Sequence, residues 1–203
     1  DISLRAARQL ARTGIDVMVH GGVPINLLRG IDNVAKPIGE TEKDIGVPVT
    51  TSITAQLDAL KTLDAGNITC IHPFESCSPD SEYDRLFGDY LGANGYDMVG
   101  IAGAGRPAVD LGRIPAETPL GLARDLKAAH PEADTLYFPC PHWAVADIVE
   151  PLEDELGVTV VTALQAIVWD ALRRRGLLCG PAERFAGHRH AMQGERGPWP
   201  KAA

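Results

Sequence analysis

Apolar positions recur along this chain in two alternating rhythms. Leu4, Ala7, Leu10 and Ala11 fall on one face at helical spacing, which predicts a helix over 2–13 with Gly14 as its stop. Ile15 to Val19 follows as a short strand of buried type. The alternation then continues with a short helix near 24–30, a strand over 47–51 and a helix over 52–65 closed by Gly66. Between them, 31–46 is rich in proline, glycine and charge and predicts no regular element. Further on come a strand over 67–72, a helix over 81–94 ending at Gly95, a strand over 96–102, a helix over 117–130 and a strand over 135–139. A helix over 143–156 follows, which Pro151 is expected to kink or restart. A strand over 158–162 and a helix over 163–176 close the pattern.

Strands that read as near-continuous runs of Val, Ile, Met and Tyr, each followed by a helix, predict parallel sheets covered on both faces. The fold class is therefore α/β. Composition narrows the function. Of 203 residues 45% are apolar, enough to bury one sizeable core or two small ones. The net charge is −8 and the longest basic run is Arg173-Arg174-Arg175, which argues against nucleic acid and against an anionic membrane surface as partners. No apolar stretch approaches the ~20 residues of a membrane span, and the amino end is amphipathic, so a cytoplasmic protein is expected. Cys70, Cys77, Cys140 and Cys179 are too sparse for a disulfide scaffold and form no C-x-x-C pair, so reduced thiols are expected.

In parallel sheets ligands bind beyond the carboxyl ends of the strands, where loops leave for the next helix. Four such ends carry candidate chemistry: His20-Gly21-Gly22-Val23-Pro24, Thr50-Thr51-Ser52, His72-Pro73-Phe74 and Pro139-Cys140-Pro141-His142. A thiol placed just before a helix amino terminus sits in a potential that favours thiolate, and His142 beside it adds to the effect. The flanking prolines stiffen the Cys140 turn. An ordinary buried cysteine is the competing reading.

The stretches DVMVHGGVPINLLRG, GVPVTTSITAQLDAL, ITCIHPF and LYFPCPHW resemble, in order and spacing, the aspartate/glutamate racemase superfamily, and within it the arylmalonate decarboxylase and maleate isomerase branch. The similarity runs from about residue 2 to 177 and extends through VTVVTALQAIVWDALR. It implies two α/β lobes related by a pseudo-twofold axis, each a parallel sheet flanked by helices, around a site that uses no cofactor and no metal. The expected division is 1–66 plus 163–178 for the first lobe, 67–162 for the second, and a polar tail over 179–203. The chain opens on a helix, so the resemblance implies that the first strand of lobe one is missing.

Racemases of this superfamily place one cysteine in each lobe, and maleate isomerase uses the first-lobe cysteine as a nucleophile. Here the first-lobe position corresponds to Gly22 and the second to Cys140, the arrangement of arylmalonate decarboxylases. The resemblance thus implies decarboxylation of a malonate-type small carboxylic acid, with Cys140 protonating an enediolate. Gly22, Val23, Pro24, Thr51, Ser52, Phe74, Pro141 and His142 are the expected substrate-binding positions, and Ile25, Leu27, Leu28, Phe74 and Trp143 are candidates for an apolar wall. A donor must be a thiol before the step, so the Cys140 pKa is expected near or above the working pH.

Departures from the family pattern point the other way. Val23 and Pro24 replace hydroxyl residues, Phe74 replaces a tyrosine and Pro141 replaces a glycine, which removes several hydrogen-bond donors. The alternatives are a racemase or cis-trans isomerase, favoured if Cys77 supplies a second thiol, or a non-catalytic carboxylate-binding homologue. A metal site from Cys70, His72 and Cys77 fits no common zinc spacing. Gly103-Ala104-Gly105-Arg106-Pro107-Ala108 imitates a dinucleotide fingerprint, but Gly112 and two prolines follow where a helix is required, so a flexible connection is expected. His188 and His190 belong to a tail dominated by glycine, proline and charge, expected to be solvated.

Overall fold

The computed structural model of the protein describes residues 2–28, 30–74 and 81–177. Two parallel sheets organise it. The first pairs β1 (Met18–His20) with β2 (Val49–Thr51), and the second has the order β4-β3-β5-β6, from β3 (Asn67–Phe74), β4 (Asp97–Arg106), β5 (Thr135–Phe138) and β6 (Thr159–Thr162). Eight helices join them among the described residues: α1 (Ile2–Ala11), α2 (Val23–Leu27), α3 (Lys36–Ile45), α4 (Ser52–Thr62), α5 (Glu82–Ala93), α6 (Glu117–Ala129), α7 (Val149–Leu156) and α8 (Ala163–Arg174). The α/β class with helix-flanked parallel sheets is the one expected. No described helix is long and apolar enough to cross a membrane.

Three local expectations are corrected. Residues 31–46 are not irregular: a 3-10 turn at Ile31–Asn33 leads into α3, whose first turn holds Pro37 and whose end is capped by Gly46 in the left-handed region at φ 74°. The charges there are the outer face of a helix whose Ile38 and Ile45 pack with Ala7, Met18 and Val49. The helix expected over 143–156 begins only at Val149, after a 3-10 turn at Ala146–Ile148. Pro151 falls in its first turn, where a missing amide costs no intrahelical bond, so there is no kink. Finally, Gly103 to Arg106 continue β4 and are followed by a 3-10 segment at Ala108–Arg113, so the glycine run is neither a phosphate turn nor a loose connection.

The second sheet buries both faces. Ile68, Cys70, Tyr137 and Val161 pack with Ile53, Leu60, Phe87, Leu91 and Trp169, while Ile71, Leu136, Phe138 and Val160 pack with Ala123, Leu126, Val149 and Leu152. Near-continuous apolar strands are what such double burial demands.

Helix α8 leaves the second sheet and packs on α4, touching β1 and β2 as well. Asp170 fixes this return: fully buried, it accepts from Thr50 Oγ1 of β2 at 2.6 Å and from Arg174 Nε at 2.9 Å, and it pairs with Arg173. Arg173 in turn reaches Asp58 of α4 at 2.6 Å and lies over the Trp169 ring at 4.7 Å. A second buried link crosses from β5 to α4. The Tyr137 hydroxyl donates to Gln56 Oε1 at 2.7 Å, and Gln56 Nε2 donates to the Ser52 carbonyl at 2.6 Å.

Burial alone would raise the Asp170 pKa, but hydrogen bonds from Thr50, Arg174 and Arg173 outweigh it and hold the carboxyl below its ordinary range. A depressed folded pKa contributes stability above the unfolded value near about pH 4, and that contribution is lost as pH falls through the folded value. Asp170→Ala is therefore expected to cost about 1–3 kcal/mol at pH 7, by leaving Thr50 and Arg174 without their buried acceptor, and to flatten the acid limb of stability. Urea melts from pH 7 down to pH 3 check this. Equal pH slopes in the two proteins would contradict the assignment.

Candidate active site

In each sheet the carboxyl ends of the strands bring the candidate residues to one edge. At the end of β1, His20 Nε2 lies 3.2 Å from Thr41 Oγ1 of α3. Gly22 follows with φ 85°, a conformation side-chain-bearing residues rarely adopt. Its carbonyl accepts from the Asn26 backbone amide at 3.2 Å and from Asn26 Nδ2 at 2.8 Å, so the turn into α2 is clasped by one buried asparagine. Val23 and Leu27 are buried in the core beside this turn, whereas Leu28 is 71% exposed and is no part of a wall. Pro24 and Ile25 lie in α2, but their side chains fall outside the described residues.

The hydroxyls at the end of β2 are committed elsewhere. Thr50 binds Asp170. Thr51 caps α4, accepting from the Thr54 amide at 3.1 Å within a capping box, and Ser52 Oγ accepts from Gln56 Nε2 at 3.3 Å. Thr51 and Ser52 are both 0% exposed. The expectation that they face a ligand is corrected: they build the first turn of α4 beneath the surface.

At the end of β3 the buried His72 accepts from the Phe74 amide through Nδ1 at 3.2 Å, and its Nε2 stands 3.3 Å from Asp84 Oδ1 of α5. Burial lowers the His72 pKa, and the nearby Asp84 opposes that shift without cancelling it, so the ring is neutral. Phe74 itself is half-buried and packs against the cluster that contains Cys140 and Trp143.

Cys140 lies two residues beyond β5 and is 6% exposed. It does not precede a helix directly: Pro141, His142 and Trp143 form a turn, and the nearest α-helix starts at Val149. The helix-dipole argument for a thiolate is thereby corrected. Burial pushes the Cys140 pKa up, and the neighbouring backbone amides of His142 and Trp143 offset part of the shift. Cys140 is held as a thiol. Pro141 is half-buried and His142 exposed. Trp143 is buried edge-on to Phe138, ring centroids 5.9 Å apart, and its Nε1 has no hydrogen-bond partner among the described residues.

Cys70 is a fully buried core residue of β3. Cys77 and Cys179 lie outside the described residues, as do His188 and His190, so the two-thiol and Cys70–His72–Cys77 readings fall there too. Among the described residues no group of three His, Cys, Asp or Glu side chains could hold a metal ion. Sequence reasoning missed Asn26, Gln56, Asp84 and Tyr137. Only Asn26 left a local signal, four residues after Gly22 in a helix, where i and i+4 share a face.

The fold and the solitary described thiol at a strand end define a two-sheet α/β protein with its chemistry at the strand carboxyl ends. The chain belongs to the arylmalonate decarboxylase family, whose model it matches over residues 1–184. It is 28% identical over 171 residues to the arylmalonate decarboxylase of Bordetella bronchiseptica, covering 84% of this chain and 69% of that protein. Among solved structures, unliganded arylmalonate decarboxylase superposes with a TM-score of 0.78 at 23% identity, over 87% of this chain and 75% of that one. The maleate cis-trans isomerase of Nocardia farcinica bound to TRIS superposes with a TM-score of 0.74 at 21% identity, over 85% and 70%. These structural likenesses establish the fold, and the relatives are enzymes of decarboxylase or isomerase type.

Two outcomes follow from the geometry. Carbamidomethylation of Cys140, read by mass spectrometry of its peptide, is expected to be slow at pH 7 and to accelerate only above about pH 8.5, the ordinary thiol value. A rate already at its plateau at pH 6.5 would mean that the group is a thiolate. Gly22→Ala is expected to lower stability by about 1–2 kcal/mol, because a Cβ is strained at that φ, measurable by thermal or urea unfolding.

Proposed function

We propose that the protein is a cofactor-independent decarboxylase of a malonate-type small carboxylic acid, with Cys140 as the proton donor. The observation that carries this reading is the state of Cys140: burial at a strand end keeps it a thiol, which is what an acid needs and what a nucleophile or base does not. The electron pair of the breaking carbon–carboxylate bond passes into the retained carboxyl group as an enediolate, and carbon dioxide leaves. The Cys140 S–H proton then bonds to that carbon, and solvent reprotonates the sulfur. The amides of His142 and Trp143 stabilise the thiolate that the transfer leaves behind. Trp143 and Phe74, packed in the same cluster as Cys140, supply apolar surroundings that favour loss of a carboxylate's charge.

The family match and the relative from Bordetella bronchiseptica support decarboxylation. A solved Nocardia farcinica isomerase carries a covalently bound succinylcysteine intermediate, and that route requires a nucleophilic sulfur. The resemblance places that nucleophile at the first-lobe position, which is Gly22 in this chain, so the covalent route lacks its sulfur here. A reducing cytoplasm suits a site that depends on a free thiol.

Incubation in heavy water with 2-substituted malonates, amino acids and maleate tests the reading. The expected result is carbon dioxide release with one deuterium at the former malonate carbon. Cys140→Ala is expected to lower kcat by about 10²- to 10⁴-fold, and wild-type activity is expected to fall on the alkaline side as the thiol ionises. Deuterium uptake without carbon dioxide would point to a racemase, conversion of maleate to an isomerase, and inertness towards all three to a non-catalytic binder. Each of these overturns the proposal.

A further inference from the structure

We propose that His72 is a positioning residue that holds Phe74 as the wall for the apolar substituent of the bound acid, an inference that rests on the decarboxylase reading. The strand β3 breaks its pairing register with β4 between His72 and Phe74, since His72 stands opposite Gly103 but Phe74 opposite Arg106. A break in register frees a backbone amide from the regular ladder. The imidazole takes the Phe74 amide at that point, 3.2 Å from Nδ1. An accepting Nδ1 puts the ring proton of a neutral histidine on Nε2, the nitrogen 3.3 Å from Asp84 Oδ1.

The pair is sealed, with His72 1% and Asp84 2% exposed, so neither group reaches a ligand directly. Asp84 is itself anchored in the first turn of α5, its amide donating to Ser81 Oγ at 3.0 Å. The chain of contacts runs from α5 through the imidazole to the backbone of Phe74, whose ring lies 5.8 Å from that of His72 and packs against the cluster that includes Cys140. Among these groups, Phe74 is the one that is half-exposed at the strand end. Burying a histidine costs desolvation that an apolar residue would avoid. Its return is the fixed end of β3.

The test uses protein labelled with 4-fluorophenylalanine, with the Phe74 resonance assigned through Phe74→Leu. His72→Leu removes the acceptor. His72→Asn restores one, because an asparagine side chain accepts from the amide two residues on. Phe74 is expected to shift or broaden in His72→Leu and to regain its position in His72→Asn. KM for phenylmalonate is expected to rise about tenfold in the leucine variant, the scale of one hydrogen bond, with kcat within about twofold. If His72→Leu fails to fold because Asp84 is left beside an apolar side chain, the His72→Leu/Asp84→Leu pair carries the same reading. An unmoved Phe74 resonance, or a moved one with unchanged KM, overturns the proposal. Phenylmalonate bound without carbon dioxide release overturns the decarboxylase reading alone, because Kd then replaces KM in the comparison. No binding at all overturns both.

Discussion

A buried carboxylate holds this architecture together. Asp170 has no solvent contact, so its charge is tolerable only because Thr50, Arg173 and Arg174 surround it. Those partners come from β2 and from the last turn of α8, and Arg173 continues to Asp58 on α4. The last helix is thereby fastened to the first sheet, although some 120 residues separate Thr50 from Asp170. A two-stranded sheet is marginal by itself. The fastening holds β1 and β2 against α8, while their own apolar side chains, Met18 and Val49, pack in a small separate cluster with Ala7, Ile38 and Ile45.

The same arrangement explains which hydroxyls are lost to a ligand. Thr50 is taken by Asp170, Thr51 by the cap of α4 and Ser52 by Gln56, which is oriented by Tyr137 from the second sheet. Each side chain is of a type that sequence reasoning reads as a carboxylate donor. Each is also of the type that caps helices and satisfies buried polar groups, and burial decides between these roles. What remains open at the strand ends is backbone around Gly21 and Gly22, the half-buried Phe74 and the Cys140 turn.

Legibility followed the range of the interactions. β3, β5 and β6 were plain because double burial leaves runs such as ITCIH and TLYF, and α4 was plain because its apolar face repeats. α3 was hidden because most of its side chains are polar and only a narrow stripe touches the core. The end of β4 was hidden because Gly103, Ala104 and Gly105 carry no periodicity. Cys140 was legible from its place after an apolar run and between two prolines. The His72–Asp84 contact was not, since the two residues stand twelve positions apart on different elements, and neither was the Tyr137–Gln56 bond across 81 positions.

On the decarboxylase reading, the Cys140 turn bears on a competition between two uses of a sulfur. A nucleophilic thiolate needs nearby positive potential, such as a helix amino terminus aimed at it; here the α-helix starts nine residues on, and Pro141 has no amide to offer. Desolvation then dominates, and the sulfur keeps its proton. A buried thiol with no donors around it would be a poor acid too, because the thiolate formed on transfer would be stranded. The amides of His142 and Trp143 fill that gap without reversing the balance, being dipoles of the kind that cost no reorganisation when charge arrives. On the proposed reading, the prolines, the burial and the two amides are thus parts of one adjustment: a sulfur acidic enough to give up its proton to a carbanion, and too weakly acidic to lose it to water first.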